Sequence, residues 1–339
     1  MKKTLLPIAV GMALGVSAMA ANAGTLDDVK AKGFLQCGVT TGLAGFAFTD
    51  DSGKWDGFDV AYCRALAAAI FGDATAVKFT PTTGKTRFSA LASGEVDVLS
   101  RVTTWTFSRD TDLGNTFIGI DYYDGQGFMV PKALDVSSSL ELSGSRICIQ
   151  TGTTTELNLA DYFRANKMDY IPVPIETNAE GQQKYLADAC DVYTTDASAL
   201  AATRATFQNP DEHMVLPEII SKEPLGPLVR HGDDQWADIG RWVLNALVIA
   251  EEKGITSGNV ASIGASTNDP EIKRLLGVEG NFAAMMGLEA DWAVNAISAG
   301  GNYSEIFEKH LGVDTPIGLA RGLNAQWKDG GLLYSPPFR

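Results

Sequence analysis

The sequence of 339 residues predicts an α/β fold made of two lobes. Short apolar strands alternate with amphipathic helices, and the same order of strand, polar turn and helix occurs in two separate stretches of the chain. This pattern is lost twice, as expected where a chain crosses from one lobe to another and later returns. Because alternating strands and helices build parallel sheets, each lobe should hold a mostly parallel sheet flanked by helices.

The first patterned stretch begins with a strand that opens into a Gly/Thr loop, FLQCGVTTGLAGFAF (34–48). An amphipathic helix follows, GFDVAYCRALAAAIFG (57–72), with Asp59 near its start and Gly72 at its end. The segment RFSALASGEVDVLSR (87–101) then gives a helix, a turn and an apolar strand. These elements predict the first lobe.

The second stretch repeats the pattern. SRICIQTGTTTELNLADYF (145–163) gives a strand, a Gly/Thr turn and a helix, and KYLADACDVYTTDASALAA (184–202) gives a helix, a turn and a strand. The pattern is lost at 122–144 and again at 217–234, where Gly, Pro and Ser collect. We therefore expect a first lobe from 24–125 and 230–339, with 126–229 as the second lobe between them. The tail after Ile255 is rich in Gly, Asn and Ala, and it indicates no chemistry.

The first 23 residues have the composition of a secretory signal peptide. Lys2 and Lys3 precede an apolar stretch from about residue 5 to residue 20, and Ala21-Asn22-Ala23 is a cleavage motif. The apolar stretch is too short for a membrane-spanning helix, so a cleaved signal is favoured over a membrane anchor or a buried helix. We expect a periplasmic chain that begins near Gly24.

Charge excludes several classes of partner. The formal net charge of −14 falls to −16 when the two lysines of the signal are removed. A strongly acidic chain without a basic tract does not bind nucleic acid or anionic lipid non-specifically.

The four cysteines, Cys37, Cys63, Cys148 and Cys190, predict disulfides in an exported chain. Four cysteines allow three pairings, and the sequence does not choose among them. Proximity along the chain favours Cys37–Cys63 and Cys148–Cys190. No C-x-x-C motif is present, which argues against structural zinc and against thioredoxin-like redox chemistry.

Common enzyme motifs are absent from the sequence. TTGKTRF (82–88) resembles the end of a phosphate-binding loop, but Phe79 stands where the first glycine is required. No G-x-S-x-G or H-E-x-x-H motif occurs, and His213, His231 and His310 are scattered. We therefore expect no catalytic residues, no metal and no cofactor.

The segment RVTTWTFSRD (101–110) directly follows an apolar strand and carries a candidate anion site. The guanidinium group of Arg109 can hold a carboxylate with two hydrogen bonds, and the Thr104 hydroxyl can complete the shell. The alternative is a solvated ion pair between Arg109 and Asp110.

Two further polar groups follow strands in the second half. Gly152, Thr153 and Thr154 begin a helix, where backbone N–H groups favour an anion. Asp196 ends the strand of CDVYTTD and suits an ammonium group, although it could instead cap the next helix. A carboxylate site and an ammonium site at equivalent strand ends together match an α-amino acid.

Five segments carry a resemblance to a known family: GKWDGFDVAYCRALAAAIFGD, RFSALASGEVDVLSRVTTWTFSRD, YYDGQGFMV, QTGTTTELNLADYF and WVLNALVIAEEKGITSGNV. They resemble the periplasmic solute-binding proteins of polar amino-acid ABC transporters, specifically the general L-amino-acid-binding subfamily. The resemblance covers essentially the whole mature chain. It implies the type II periplasmic binding protein fold, with two lobes on a two-segment hinge that closes over the ligand.

The resemblance also implies residue roles. Arg109 would take the α-carboxylate, with help from Thr104 and from the turn of Gly152, Thr153 and Thr154, and Asp196 would take the α-ammonium. The sequence departs from relatives that bind basic amino acids. Thr40 and Leu43 stand where those proteins often carry an acid and a stacking aromatic, which disfavours lysine and arginine as ligands.

Four more residues are candidates for contact with the ligand. Arg87 and Arg101 match positions near the ligand side chain in binders of acidic amino acids, although both could instead pack or pair at the surface. Phe46 and Trp105 could cover the ligand, with a core role as the alternative. An arginine at the side-chain end of the pocket would favour glutamate, aspartate and their amides.

We therefore expect a monomeric periplasmic receptor of broad specificity that delivers L-amino acids to an inner-membrane ABC permease and catalyses no reaction. The alternatives are a dehydratase-type enzyme on the same two-lobed fold and an amino-acid sensor. The enzyme would need an acid or base above the ligand, and the one acid that the sequence assigns to the pocket, Asp196, is already matched to the ammonium.

Overall fold

The computed structural model describes residues 24–339, so the predicted signal segment 1–23 lies outside the described residues. The strands are β1 Leu35–Thr40, β2 Phe48–Thr49, β3 Trp55–Asp56, β4 Val77–Thr82, β5 Val98–Leu99, β6 Asn115–Phe117, β7 Tyr122–Asp124, β8 Gln126–Pro131, β9 Arg146–Gln150, β10 Ile171–Ile175, β11 Val192–Asp196, β12 His213–Val215, β13 Glu223–Leu225 and β14 Leu228–Arg230. The helices are α1 Thr25–Lys32, α2 Phe58–Phe71, α3 Arg87–Ala92, α4 Phe107–Thr111, α5 Thr154–Ala165, α6 Asn178–Leu186, α7 Ala197–Arg204, α8 Asp234–Glu252, α9 Val260–Ser266, α10 Pro270–Leu275, α11 Phe282–Met286, α12 Trp292–Gly300 and α13 Tyr303–His310.

The first sheet has the strand order β4-β1-β5-β14-β6. Strand β1 runs parallel to β4 and β5, whereas β14 runs antiparallel to both of its neighbours, so four of these strands share one direction. We call this sheet and the helices packed on it lobe 1. Its central strands are buried apolar runs, as expected for a parallel sheet covered on both faces.

The second sheet has the order β10-β9-β11-β8-β12 and repeats the architecture of the first. Strand β9 lies parallel to β10 and β11, and β8 runs antiparallel between β11 and β12. We call this sheet, with α5, α6 and α7, lobe 2. The predicted α/β fold with two mostly parallel sheets is confirmed.

Two short strands join the lobes. The chain leaves lobe 1 through β7 and returns through β13, and these two strands pair antiparallel in a separate two-stranded sheet. We call β7 and β13 the hinge strands. Both fall inside the stretches where the sequence pattern is lost.

The main core lies in lobe 1, where α2, α8 and α12 pack together. Trp236 of α8 is buried, and its indole N–H donates to the carbonyl oxygen of Asp97 at 2.9 Å. Helix α2 ends at Gly72 with φ of 70°, as the sequence predicts. Within residues 24–339 no helix combines the length and the apolar character that crossing a membrane requires.

The C-terminal segment after α13 returns along lobe 1 to the hinge. The side chain of Asn324 accepts a hydrogen bond from the backbone N–H of Tyr123 at 2.7 Å and donates one to its carbonyl oxygen at 3.2 Å. The buried Gln326 amide donates to the carbonyl oxygen of Val248 in α8 at 2.9 Å. This segment therefore connects α8 to hinge strand β7.

Disulfides join Cys37 to Cys63 and Cys148 to Cys190. The first bond connects β1 to α2 within lobe 1, and the second starts from β9 within lobe 2. The pairing favoured by proximity along the chain is confirmed.

Candidate ligand-binding site

A cavity lies between the two lobes, at the carboxyl ends of the parallel strands. Such strand ends are the usual position of ligand sites in open α/β sheets. The cavity is small in this structure, with an accessible volume of about 30 Å³. The residues that line it are Thr40, Leu43, Arg87, Arg101, Val102, Thr104, Gln150, Thr153, Thr154, Thr155, Asn178, Thr195, Asp196 and Ala199.

Two glycines allow the lobes to approach at one side of this cavity. A Cβ on Gly84 of lobe 1 would lie 2.7 Å from the carbonyl oxygen of Thr151 in lobe 2. Gly152 has φ of 75°, and a Cβ there would meet the Gly84 backbone at 3.2 Å. The sequence singled out Gly152 for anion binding, and the structure adds a second reason for a glycine at this position.

Arg87 and Arg101 form part of the lobe 1 wall. Arg87 is 2% exposed, and its Nη1 and Nη2 atoms lie 3.4 Å from the Thr103 hydroxyl and the Gly152 carbonyl oxygen. Its Nε has no hydrogen-bond partner among the described residues. The Nε of Arg101 donates to the carbonyl oxygen of Thr82 at 3.1 Å. The surface-pairing alternative therefore does not hold for either residue.

Burial and mutual repulsion lower the pKa values of the arginines in this cluster. Burial lowers the pKa of Arg87 well below the usual arginine value, and the charges of Arg101 and Arg109 lower it further. Burial also lowers the pKa of Arg101 to about 10, against the attraction of Asp59. Clustered, desolvated cations favour an anionic partner, and perturbed pKa values of this kind are typical of functional sites.

Arg109 is buried but is not among the residues that line the cavity. Its Nη1 donates to the carbonyl oxygen of Thr104 at 2.9 Å, so the guanidinium lies behind the Thr104 segment. Burial lowers the pKa of Arg109, opposed by the charges of Glu223 and Asp196. The burial of Arg109 argues against the solvated ion pair with Asp110 that the sequence left open.

Asp196 faces the arginine cluster from lobe 2. It occupies the N-cap position of α7, but its side chain makes no capping hydrogen bond. Burial raises the pKa of Asp196, and the nearby carboxylates of Asp124 and Glu223 raise it further, whereas Arg87 and Arg109 lower it. A cation in the cavity would add to the countercharge that Arg87 and Arg109 supply to this carboxylate.

The turn before α5 brings a row of threonines to the cavity. The Thr153 hydroxyl caps α5 by accepting from the N–H of Glu156 at 3.2 Å. The N–H of Gly152 donates to the carboxylate of Glu156 in α5 at 3.0 Å. This N–H group therefore already has an acceptor within the protein. The Thr154 hydroxyl lines the cavity and lies 3.2 Å from the Thr104 hydroxyl of lobe 1.

A buried carboxylate in the hinge, Glu223, was not found by the sequence analysis. It accepts hydrogen bonds from the Thr104 hydroxyl and, at 2.9 Å, from the Thr154 hydroxyl. Because each hydroxyl carries one proton and gives it to Glu223, each offers a lone pair to the cavity. The two threonines are therefore acceptors towards a ligand.

Val102 has φ of 42° and lies on the cavity wall. A β-branched residue rarely adopts this left-handed conformation, which costs about 1–3 kcal/mol and is typical of binding sites. Arg101 before it and Thr104 after it both line the cavity. No sequence pattern predicted this backbone conformation.

Two aromatic residues that could cover the ligand, Phe46 and Trp105, do not line the cavity. Phe46 is a core residue: it packs edge-on against Phe58 and Tyr122 at 6.2 and 5.7 Å between ring centroids and does not line the cavity. Trp105 is 38% exposed, stacks on Phe117 and lies outside the cavity. These contacts favour the core role that the sequence left open for Phe46, and a contact between Phe46 and the ligand stays a prediction.

The cavity wall also includes residues that the sequence analysis left unassigned. They include Gln150 and Asn178, which contribute amides. Thr40 and Leu43, noted above in the sequence, also line the wall and add neither an acid nor an aromatic ring. Gln150 is the last residue of β9, so its position at a strand end could have indicated it. Within residues 24–339 no cluster of three or more His, Cys, Asp or Glu side chains is placed to hold a metal ion.

The cavity is thus chemically bipolar. Guanidinium groups from lobe 1 can hold carboxylates, and Asp196 with two hydroxyl acceptors can hold an ammonium group. Amides complete the hydrogen-bonding inventory.

Known proteins are similar to this chain along their whole length. The chain is 61% identical to the glutamate/glutamine/aspartate/asparagine-binding protein of Rhodobacter capsulatus and 59% identical to the general L-amino acid-binding periplasmic protein of Rhizobium johnstonii, each over the full length of both chains. A solved structure, the ABC transporter / periplasmic binding protein from Brucella ovis with glutathione bound, is 58% identical. It superposes with a TM-score of 0.91 over 94% of this chain and 100% of that chain. The model of the bacterial extracellular solute-binding proteins, family 3, matches residues 35–313. With this match and relatives that are similar from end to end, the chain belongs to family 3 of the bacterial extracellular solute-binding proteins.

Proposed function

We propose that this protein is a periplasmic receptor that binds L-amino acids between its two lobes and delivers them to the inner-membrane permease of an ABC transporter. The observation that carries the proposal is the opposition of Asp196 to Arg87 and Arg101 across one buried cavity. An α-amino acid presents the two charges that such a cavity would neutralise. The names of the two relatives from Rhodobacter and Rhizobium support the same ligand class.

In this proposal the ligand ammonium is held by Asp196 together with the Thr104 and Thr154 hydroxyls. Both hydroxyls are oriented as acceptors, which supports this assignment to the ammonium. The assignment differs from the family resemblance, which implied that Thr104 and the turn help to hold the carboxylate. The α-carboxylate is assigned to Arg109, as the resemblance implies. For Arg109 to reach the ligand, its guanidinium must exchange its hydrogen bond with the Thr104 carbonyl for one with the carboxylate.

Arg87 and Arg101 are assigned to the ligand side chain. Both arginines line the cavity, and burial lowers the pKa of both. A second carboxylate or a side-chain amide oxygen of the ligand would therefore bind to these two guanidinium groups. Thr40 and Leu43 offer no countercharge for a basic ligand. We expect broad binding of L-amino acids, with glutamate, aspartate and their amides favoured.

A γ-glutamyl peptide is a second candidate ligand. The relative from Brucella ovis was solved with glutathione bound, and it is 58% identical to this chain. The γ-glutamyl end of glutathione carries a free α-amino acid group, so it would use the same charged contacts as glutamate.

The proposal includes no catalytic step. The acids near the cavity are matched in this proposal: Asp196 to the ammonium, Glu223 to neighbouring hydroxyl groups and Asp124 to the Ser198 hydroxyl. None of them is assigned to act on the ligand. We further propose a monomer, with residues 24–125 and 230–339 forming one lobe and 126–229 the other. A dehydratase would convert its ligand, and a sensor would bind it without supporting transport.

The test is a thermal-shift screen of refolded, ligand-stripped protein against the twenty amino acids and glutathione, checked by calorimetry. A ligand at 100 times its Kd adds about 2.7 kcal/mol of stability, a shift of several degrees. We expect the largest shifts with glutamate, glutamine, aspartate and asparagine. If none of the twenty amino acids shifts the melting temperature, the proposal is refuted. If chromatography shows that the protein converts a bound ligand into a product, the enzyme alternative is favoured.

A further inference from the structure

Glu223 has contacts that ligand binding alone does not explain. The residue is 1% exposed and lies on hinge strand β13. It accepts four hydrogen bonds from uncharged donors: the Thr104 hydroxyl, the Thr154 hydroxyl at 2.9 Å, the Asn158 amide at 2.6 Å and the Ser221 hydroxyl at 2.7 Å. A buried carboxylate is costly unless its lone pairs are satisfied, so this set of donors replaces its water.

These donors come from both sides of the cleft. Thr104 belongs to lobe 1, where its segment bridges to hinge strand β13 at Leu225. Thr154 and Asn158 lie on α5 of lobe 2. The carboxylate of Glu223 therefore joins the two lobes through the hinge, next to the cavity but not among the residues that line it.

We propose that Glu223 is a positioning residue that holds the two lobes in the closed arrangement and so limits the rate of ligand release. The inference rests on the proposed function. For the lobes to separate, α5 must withdraw the Thr154 and Asn158 donors from the carboxylate, and water must replace them. Hydrogen bonds to a charged group are stronger than neutral ones, so this step slows opening.

The contacts also predict which rate changes. A ligand enters the open form, in which Glu223 has lost its lobe 2 donors, so the association rate should not depend on them. Release requires opening and therefore breaks these bonds. Loss of one donor should raise the dissociation rate about tenfold, because a hydrogen bond to a charged group contributes roughly that factor or more.

Asn158 provides the sharpest test because its side chain bonds to Glu223 and does not line the cavity. A change in ligand release by Asn158→Ala cannot then be ascribed to a lost ligand contact. The matched control is Glu176→Gln. Glu176 also crosses the cleft, to Lys85 at 2.8 Å, but both side chains are exposed, at 62% and 52%. An exposed pair contributes little, so this control should change release by less than about threefold.

The experiment measures glutamate association and dissociation by stopped-flow tryptophan fluorescence. The proteins are the wild type, Glu223→Gln, Asn158→Ala, their double variant and Glu176→Gln. We expect each single change at the hinge carboxylate to speed dissociation about tenfold with association within about threefold. The double variant should be little faster than Glu223→Gln, because both changes remove the same contact. Melting of the ligand-stripped proteins checks that each variant folds.

Wild-type dissociation rates in Glu223→Gln and Asn158→Ala would overturn the inference, and so would effects that multiply in the double variant. A merely structural role for Glu223 would lower melting temperatures without coupling to Asn158. Failure of the wild type to bind any amino acid would instead refute the proposed function, so the two failures are distinguishable.

Discussion

The Nη2 atom of Arg87 lies 3.4 Å from the carbonyl oxygen of Gly152, so a guanidinium group of lobe 1 reaches the turn that begins α5 in lobe 2. At this distance the hydrogen bond is weak, and Nε of the same side chain has no partner among the described residues. Arg87 is therefore a buried cation that keeps hydrogen-bonding capacity for an anion in the cavity.

Replacing Arg87 should change selectivity. In Arg87→Ala we expect glutamate binding to weaken by at least about 30-fold, because a desolvated carboxylate loses its charged partner, whereas binding of the ligand alanine should weaken much less. Calorimetric titration with both amino acids measures the difference. An equal loss for both ligands would refute the assignment of Arg87 to the ligand side chain.

Replacing Arg109 should affect all amino acids alike. Arg109→Ala removes the assigned partner of the α-carboxylate, a group that every amino acid carries, and we expect a loss of at least about 30-fold for each ligand. Asp110→Ala is the matched control, since Asp110 is adjacent and has no assigned role. Unchanged affinity in Arg109→Ala would contradict the site model. Arg87 or Arg101 would then be assigned as the partner of the α-carboxylate.

His310 should make stability depend on pH. Its side chain is 5% exposed. Burial and then the charge of Lys309 lower the pKa of His310 to about 4, against the attraction of Asp56. The unfolded chain has a pKa of about 6.5 for histidine, so the stabilisation is fully present above that pH. It is lost as the pH falls from about 6.5 to about 4, because the unfolded state then takes up a proton that the folded state excludes.

The measurement is the melting temperature of ligand-stripped wild type and His310→Gln between pH 4 and pH 7. We expect the wild type to lose stability relative to the variant as the pH falls. Burial raises the pKa of Asp59 to about 7, which acts in the opposite direction, but both proteins share this group and the difference removes it. Parallel profiles would contradict the assignment to His310.

Asn324 should stabilise the hinge. Its side chain pairs with both backbone polar groups of Tyr123, and Asn324→Ala leaves them without these partners. We expect a loss of about 1–3 kcal/mol, seen as a melting temperature lower by about 1.5–4.5 °C. Asn209→Ala, at an exposed loop, is the control and should change stability by less than about 0.5 kcal/mol. Equal melting temperatures for the two variants would argue against a structural role for the contact.

The sequence predicted the elements whose pattern is local. The helix expected at 57–72 is α2, Phe58–Phe71, and the strands that end in polar residues lie where the two cavity walls form. The antiparallel positions of β8 and β14 were not predicted, because strand pairing joins residues that are far apart in the chain.

The site was predicted in part for the same reason. Polar residues at strand ends are visible in the sequence, whereas side-chain direction is not, so the sequence left open whether Phe46 faces the ligand or the core. Glu223 lies in a stretch of the chain with no periodic pattern. Its donors Thr104, Thr154 and Asn158 are 119, 69 and 65 residues away from it in the sequence. Only the folded chain reveals such a contact.

The positions of the two disulfides have a consequence for how the protein matures. Each bond joins cysteines of the same lobe, separated by 26 and 42 residues, and neither crosses the hinge strands. Oxidation of the cysteines can therefore proceed separately in each lobe, without waiting for the chain to return through β13. Neither covalent link would prevent the two lobes from separating.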